Sequence, residues 1–477
     1  MEIELQDAQS EWFWSEATEQ LIGGAAGPGK SFYLRVAFCY WALEIPGLQL
    51  YLFRRTYKDL EQNHIMHPQG FPALLADHIK AKQVKYNTSK NVFAFGNGSM
   101  IHLCHCQYEK DVYNYQGAEI HVLGIDEITH FTPTIYKFLR GRVRMSGVDI
   151  PDHYKIPDKT DNRGYRTVFP RAISSGNPGG IGHNWVKQTF VDYQPYKQVT
   201  KTPDADGGMY RAYYPAKITD NPKLLEDDPQ YINRLKGLGS QDLVRAMLNG
   251  DWDIVAGGAI DDIWTRDIHV VQPFDIPKTW RIDRGYDWGS SKPAACVWFA
   301  ESNGEEVKLR DGRKVSFPRG TIFVIREVYF WNGQPNEGSK MLASEHAKAI
   351  KEVDGEFNNV YPGPADNAIY DSQNGTCIAD DMASIGVRWE KSDKSPGSRK
   401  QGLEKLRTML KASVDKEGAG FYVFDSCTHT IRTIPVLPRD DKHTDDIDTN
   451  AEDHIYDVIR YRIVKKRYTA IKGGFNT

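Results

Sequence analysis

Apolar and polar positions divide the 477-residue chain into two halves with different patterns. In the first half, short apolar runs at residues 20–22, 49–53, 121–125 and 168–174 each end in a Gly-rich or polar turn. Stretches of helical periodicity alternate with them, which is the arrangement of a mostly parallel sheet flanked by helices. Residues 140–165 are charged and rich in turn formers, and are expected to be loop. A helical stretch over 230–249 leads into Gly250-Asp251-Trp252-Asp253. Ala256-Gly257-Gly258-Ala259 comes after it, and with Pro273 and Pro277 it marks a candidate linker over 256–275.

In the second half, runs at 281–287, 294–300 and 321–329 predict three successive strands. A charged hairpin between the last two turns at Asn303-Gly304 and Asp311-Gly312. A helix near 339–353, a strand into Ala365-Asp366 and a strand at 386–389 come next. A helix near 398–411, a strand at 421–424 and a closing helix from about 451 complete the order. Antiparallel strands first and alternating strands and helices afterwards describe an α+β layer, the order of the fold named after ribonuclease H. The expected class is α/β, with one domain over 1–255 and another over 276–477.

Composition narrows the function classes. Apolar residues make up 40% of the chain and aromatics 12%, enough for real cores, and the length exceeds what one core usually fills. A net charge of −3 argues against a basic protein that coats nucleic acid, yet allows a local patch that grips phosphate. The six cysteines are unevenly spaced, and no long apolar run is present. A reduced, soluble, intracellular protein without a membrane segment is expected.

The strongest motif is Gly24-Ala25-Ala26-Gly27-Pro28-Gly29-Lys30-Ser31, a full match to G-x-x-x-x-G-K-[ST] behind an apolar strand. Gly24, Gly27 and Gly29 let backbone N–H groups wrap phosphates, Lys30 reaches the outer phosphate oxygens and the Ser31 hydroxyl meets Mg²⁺. Downstream, the apolar run Val122-Leu123-Gly124-Ile125 ends in two carboxylates. Asp126 is placed to hold the metal and Glu127 to polarise the attacking water. Ser174-Ser175-Gly176-Asn177-Pro178 ends another apolar strand, and Asn177 suits a sensor of the terminal phosphate. Charge on a transferring phosphoryl group calls for an arginine from the same or a neighbouring subunit. Arg140, Arg142 and Arg144 are candidates, Arg142 first among them, with Arg54 and Arg55 as rivals.

Cleaving a phosphodiester with Mg²⁺ or Mn²⁺ needs carboxylates from several elements converging on one point. Asp287 ends the first strand of the second half and Asp366 ends another, with Asp371 as a weaker rival. Asp453 and Asp457 open the last helix, opposite an apolar stripe of Ile455, Val458, Ile459 and Ile463. Four residues apart, they repel unless a cation sits between them. His454 is a further ligand or base candidate. Taken singly, each aspartate reads as a solvated loop or cap residue, and only the order strand, strand, helix points to a joint site. His102, Cys104 and Cys106 alternate onto one strand face, but a structural zinc site needs a second ligand pair and none is evident.

Together these motifs resemble the large terminase subunits of tailed bacteriophages, over nearly the whole chain. Gly24–Ser31, Asp126-Glu127 and Ser175-Gly176-Asn177-Pro178 look like that family's Walker A, Walker B and coupling motifs. Tyr115-Gln116-Gly117-Ala118-Glu119 and Asn249-Gly250-Asp251-Trp252 resemble further family segments. Asp287, Asp366 and the Asp453/His454/Asp457 cluster match its nuclease carboxylates, with Asp457 the first choice for third ligand and Asp453 the second. The resemblance implies a P-loop ATPase motor followed by a ribonuclease H-like nuclease. It implies ATP-driven translocation of double-stranded viral DNA into a procapsid and metal-dependent endonuclease cuts. A homo-oligomeric ring on the portal protein, a small terminase subunit as partner and the host cytoplasm as location are implied as well. An ATP-dependent helicase or repair nuclease that never meets a capsid is the competing reading.

Overall fold

A computed structural model describes residues 4–237, 244, 248–252, 258–372, 376–440, 443 and 445–465. The chain divides into two compact units, residues 1–257 and 258–477. Among the described residues, no helix is long and apolar enough to cross a membrane.

The first unit is built on a nine-stranded sheet. Its strands in chain order are β1 (Glu19–Gly24), β2 (Gln49–Arg54), β3 (Val84–Asn87), β4 (Val92–Phe95), β5 (Met100–His105), β6 (Val122–Asp126), β7 (Arg171–Gly176), β8 (Thr200–Lys201) and β9 (Tyr210–Ala216). They lie in the order β8-β9-β1-β7-β6-β2-β5-β4-β3. The six from β9 to β5 run parallel, and the strands outside them pair antiparallel. β1, β6 and β7 are buried along their whole length, as parallel strands covered on both faces must be. Tyr33, Phe38, Trp41 and their neighbours on the helix α1 (Lys30–Glu44) cover one face. Leu123, Ile125, Trp185 and Phe190 belong to a second core cluster.

The four predicted runs are all strands, slightly shifted in their ends. Residues 140–165 are not loop throughout, because Lys155–Pro157 pairs with Tyr165–Thr167 in a small hairpin. Of the helix expected over 230–249, Tyr231–Lys236 is helical, and most of residues 238–249 lie outside the described residues, as do Asp253, Ala256 and Gly257.

The second unit holds a seven-stranded mixed sheet. Its strands are β10 (Val270–Val271), β11 (Arg281–Asp287), β12 (Ala294–Glu301), β13 (Ile322–Phe330), β14 (Pro364–Ala365), β15 (Glu390–Lys391) and β16 (Phe421–Phe424), in the order β10-β16-β13-β12-β11-β14-β15. β11, β12 and β13 form an antiparallel meander, and the remaining pairings are parallel. The charged hairpin falls where expected, Glu306–Lys308 against Lys314–Ser316.

Three expectations are corrected here. The strand placed at 386–389 begins only at Glu390, because Ile385-Gly386 ends the preceding helix in a turn. The stretch expected to be a linker is, from 258 on, part of this unit. Ala259 and Ile260 are fully buried in its core, Arg407 grips Asp262 and the Ala259 carbonyl, and β10 pairs with β16. The closing helix α2 (His454–Val464) is buried on every side rather than along one stripe, with Tyr456, Arg460, Tyr461 and Arg462 enclosed as well.

Candidate functional site

β7 lies between β1 and β6, so the carboxyl ends of three adjacent strands bring the loop Gly24–Ser31, the Asp126-Glu127 pair and Asn177 together. Ser175 stands beside Ile22 on one side and Asp126 on the other. Gly24 has φ +134, and a Cβ there would come 2.5 Å from the Ala216 carbonyl oxygen. Its α-carbon in turn abuts Gly250, where a Cβ would come 2.4 Å from it. The 249–252 segment is thus packed on the loop, and Trp252 donates to the Tyr213 hydroxyl (2.8 Å). Close backbone approach explains the glycine at each of these two positions.

Lys30 opens α1 with Gly29 at its N-cap, so its side chain rises from a helix N-terminus. Burial lowers its pKa to about 8, against the pull of Glu127 and Asp126. The ammonium donates to the Ala25 carbonyl and to Asn177 Oδ1 (2.6 Å). The Asn177 Nδ2 group donates onward to Glu127 Oε1 (3.3 Å), and its backbone N–H to Glu127 Oε2 (3.3 Å). One amide therefore bridges the loop lysine and the second carboxylate. Glu127 holds φ +61, a left-handed conformation rare for a non-glycine residue and a known mark of functional turns.

Asp126 is fully buried. Burial pushes its carboxyl up, but Arg54 with His64 and Ser175 outweighs that and holds it well below the usual carboxylate range. Oδ1 accepts from Ser31 (3.0 Å) and from the Ser175 hydroxyl, while Oδ2 meets Arg54 (2.7 Å) and His64 Nε2 (2.9 Å). His64 comes from the short helix Glu61–Ile65, and nothing in the motifs pointed to it.

The arginines separate clearly. Arg54 is in this cluster. Arg55 donates to the His130 carbonyl (2.6 Å). Arg140 is committed to buried Glu19 (2.9 Å) and to Asp206, a structural pairing. Arg142 lies over the Phe138 ring and donates to the Gln116 carbonyl (3.0 Å), while Arg144 is exposed. Both flank Val143, which bridges Ile120 at the start of the acidic strand. At ~3.3 Å per residue that is roughly 20 Å from Asp126, so neither reaches this cluster within its own chain.

In the second unit, β11 delivers Asp287, the residue after β14 is Asp366, and α2 supplies Asp457 with Asp453 at its N-cap. The Tyr461 hydroxyl lies 3.3 Å from Asp287 Oδ1 and 3.4 Å from Asp457 Oδ2, which places the two carboxylates on either side of one atom. His454 Nδ1 meets Asp287 Oδ2 (3.3 Å), and its Nε2 meets Asn336 Oδ1 (3.1 Å). Burial, reinforced by Asp457 and Asp366, raises Asp287 to about 6 despite His454. Burial and Asp457 raise Asp453 to about 8. Asp371, the rival of Asp366, is exposed.

Two cations unseen in the sequence pattern face this cluster. Lys394 contacts Asp366, and Arg399 reaches Asp446 (3.2 Å), Asp457 (3.5 Å) and Asp453 (3.6 Å). Acidic donors crowded enough to resist ionisation, with side-chain cations pressed on them, fit a divalent ion. As arranged, no three His, Cys, Asp or Glu groups among the described residues form a closed metal cage. The His102/Cys104/Cys106 alternation forms none either: His102 stacks on Tyr51, and both cysteines are buried.

No curated protein matches the chain. Its fold is similar to the large terminase from a thermophilic bacteriophage in complex with ADP, at 15% identity and a TM-score of 0.38, over 96% of this chain and 98% of that one. It is also similar to the large terminase of bacteriophage HK97 (10% identity, TM-score 0.44, 97% and 95% covered). The nuclease domain of the P22 large terminase matches over 43% of this chain and 90% of its own length, at 17% identity and a TM-score of 0.31. A family model described as terminase large subunit, T4likevirus-type, N-terminal matches residues 21–267, just over half of the chain. The chain belongs to the terminase large-subunit family of tailed phages.

Proposed function

We propose that this chain packages viral double-stranded DNA, hydrolysing ATP in its first unit and cutting DNA with a divalent cation in its second. The observation that carries the reading is the pairing of two distinct clusters in one chain. One unit holds a phosphate loop wired through Asn177 to a carboxylate; the other holds four converging aspartates. We take the functional boundary at 257/258, with residues 1–255 as motor and 276–477 as the body of the nuclease.

In the motor, the backbone of Gly24, Gly27 and Gly29 cradles phosphates and Lys30 leaves Asn177 for their outer oxygens. Ser31 and Asp126 would hold Mg²⁺, which supplies positive charge against the phosphates. Glu127 orients and deprotonates the attacking water, and Asn177 holds that carboxylate in place beforehand. Arg142, too far to serve its own chain, acts on the nucleotide of a neighbouring subunit in a ring.

In the nuclease, Asp287, Asp366 and Asp457, with Asp453 beside them, would hold Mg²⁺ or Mn²⁺, which supplies Lewis-acid activation of the scissile phosphate. His454 fixes Asp287 and is placed to hold a proton beside it. The portal protein and a small terminase subunit are the partners in this reading, in the host cytoplasm.

The test is packaging into purified procapsids. Lys30→Ala should stop filling and leave plasmid cleavage intact. Asp287→Asn should stop cleavage, abolish the Mn²⁺-induced rise in melting temperature, and leave filling with linear DNA intact. Equal filling with and without the protein would overturn the assignment.

A further inference from the structure

Lys394 lies in the turn between β15 and the helix α3 (Ser398–Asp415), and Arg399 is in the first turn of that helix. The root of that turn is tied to the element that carries Asp366. Asn367 exchanges hydrogen bonds with Ser392 (3.0 and 3.2 Å), and the Ser392 N–H donates to the Ala365 carbonyl (3.2 Å). Lys394 is two residues beyond that anchor, and its ammonium rests on Asp366 Oδ1, the oxygen that also accepts the Ala368 N–H (3.0 Å).

The two cations are held very differently. Arg399 spreads its guanidinium over Asp446, Asp453, Asp457 and the Ile447 carbonyl, mostly shielded from solvent. Removing it would strand several buried acceptors. Lys394 is 40% exposed, and among the described residues its ammonium, at the end of a flexible four-carbon stem, makes one ion pair and one looser contact, 5.8 Å from the Tyr461 ring centroid. It can leave Asp366 at little cost, and Arg399 cannot leave its partners.

We propose that Lys394 is a built-in cation latch. It neutralises Asp366 until a divalent cation takes that carboxylate, and the displaced ammonium then pairs with a phosphodiester of the bound duplex. The inference rests on the reading of these aspartates as a nuclease site. It assigns to one side chain two effects of opposite sign. Lys394 competes with the metal for Asp366, so it weakens metal binding. It also adds one contact to the DNA backbone, so it strengthens DNA binding. A side chain with only a structural role would move both in the same direction.

The experiment compares full-length wild type with Lys394→Ala, Lys394→Arg and Asp287→Asn. Mn²⁺ affinity is read by calorimetry without DNA. Duplex affinity is read over a salt series with Ca²⁺ in place of Mn²⁺. Lys394→Ala should bind Mn²⁺ several-fold more tightly, bind duplex more weakly, and show a salt slope shallower by about 0.9, the value for one lost phosphate contact. Lys394→Arg should return both toward wild type. Unchanged or weaker Mn²⁺ binding in Lys394→Ala, or an unchanged salt slope, overturns the latch. Wild-type cleavage and Mn²⁺ binding in Asp287→Asn would instead overturn the nuclease reading, so the two failures are distinguishable.

Discussion

The two clusters handle charge in opposite ways. Around Asp126 the protein offsets the charge itself: the Arg54 guanidinium, with hydrogen bonds from His64, whose pKa burial lowers, and from two hydroxyls, surrounds a single carboxylate, which stays ionised although buried. Around Asp287 it supplies too little. Four carboxylates meet, and two of them are driven to about 6 and about 8 by burial and mutual repulsion. The first cluster is assembled before any ligand arrives; in the proposed reading the second is completed by one. Preorganised polar groups suit a site that must act without reorganising, while unrelieved repulsion suits a site that waits for a cation.

The largest effect expected from this contrast is on ATP turnover. Lys30→Ala and Glu127→Gln should each lower it by at least about a hundredfold, the usual result of removing a preorganised group that acts on the transition state. Glu127→Gln should still bind nucleotide, because Asp126 and Ser31 are untouched. Asn177→Ala should fall between them and wild type in turnover, with nucleotide affinity nearly unchanged. If Asn177→Ala turned over ATP like wild type, the bridge it forms would have no part in the reaction.

Next in size is the effect of where the second unit begins. A fragment from residue 258 keeps Ala259, Ile260 and the Asp262 partner of Arg407, and one from 270 loses them all. Deleting one large buried aliphatic residue alone costs ~2–5 kcal/mol. Denaturant titration should therefore find the shorter fragment less stable by at least ~3 kcal/mol. Equal stability would place the boundary later than the structure does.

The smallest effect is a pH dependence. The folded-state pKa values of Asp287 and Asp453 are raised above the unfolded value near 4, so the folded protein binds those protons more tightly. Their stabilising contribution is complete below about pH 4 and is lost as pH rises through about 6 and about 8. With chelator present, the melting temperature of wild type should fall more steeply between pH 5 and 9 than that of the Asp287→Asn, Asp453→Asn double variant. Parallel profiles would mean that the repulsion is not there.

The sequence made the first site legible because its parts are local. Eight consecutive residues, Gly24 to Ser31, carry the loop, and Asp126 with Glu127 ends a run whose apolar character marks it as a buried strand. His64 was hidden because it meets Asp126 from 62 residues away, out of a short helix with no pattern of its own. Lys394 and Arg399 look like the solvated cations of any charged turn; only the folded chain sets them on aspartates 28 and 58 positions distant. The buried faces of the last helix were missed for a related reason. Arginine is a residue type that usually faces solvent, yet ion pairs with Asp457 and Asp283 let Arg460 and Arg462 be enclosed.

The Asn177 amide has a direction. Its oxygen faces an ammonium and its nitrogen faces a carboxylate, so half a turn of the side chain would set like against like at both ends. Lys30 and Glu127 thus share one planar group that answers to both. In the proposed reading, a phosphate that draws the ammonium away would loosen the amide, and with it the carboxylate. Thermodynamic linkage would then make the traffic two-way: whatever settled Glu127 on a water would also change, by the same factor, how strongly Lys30 is offered to the phosphate.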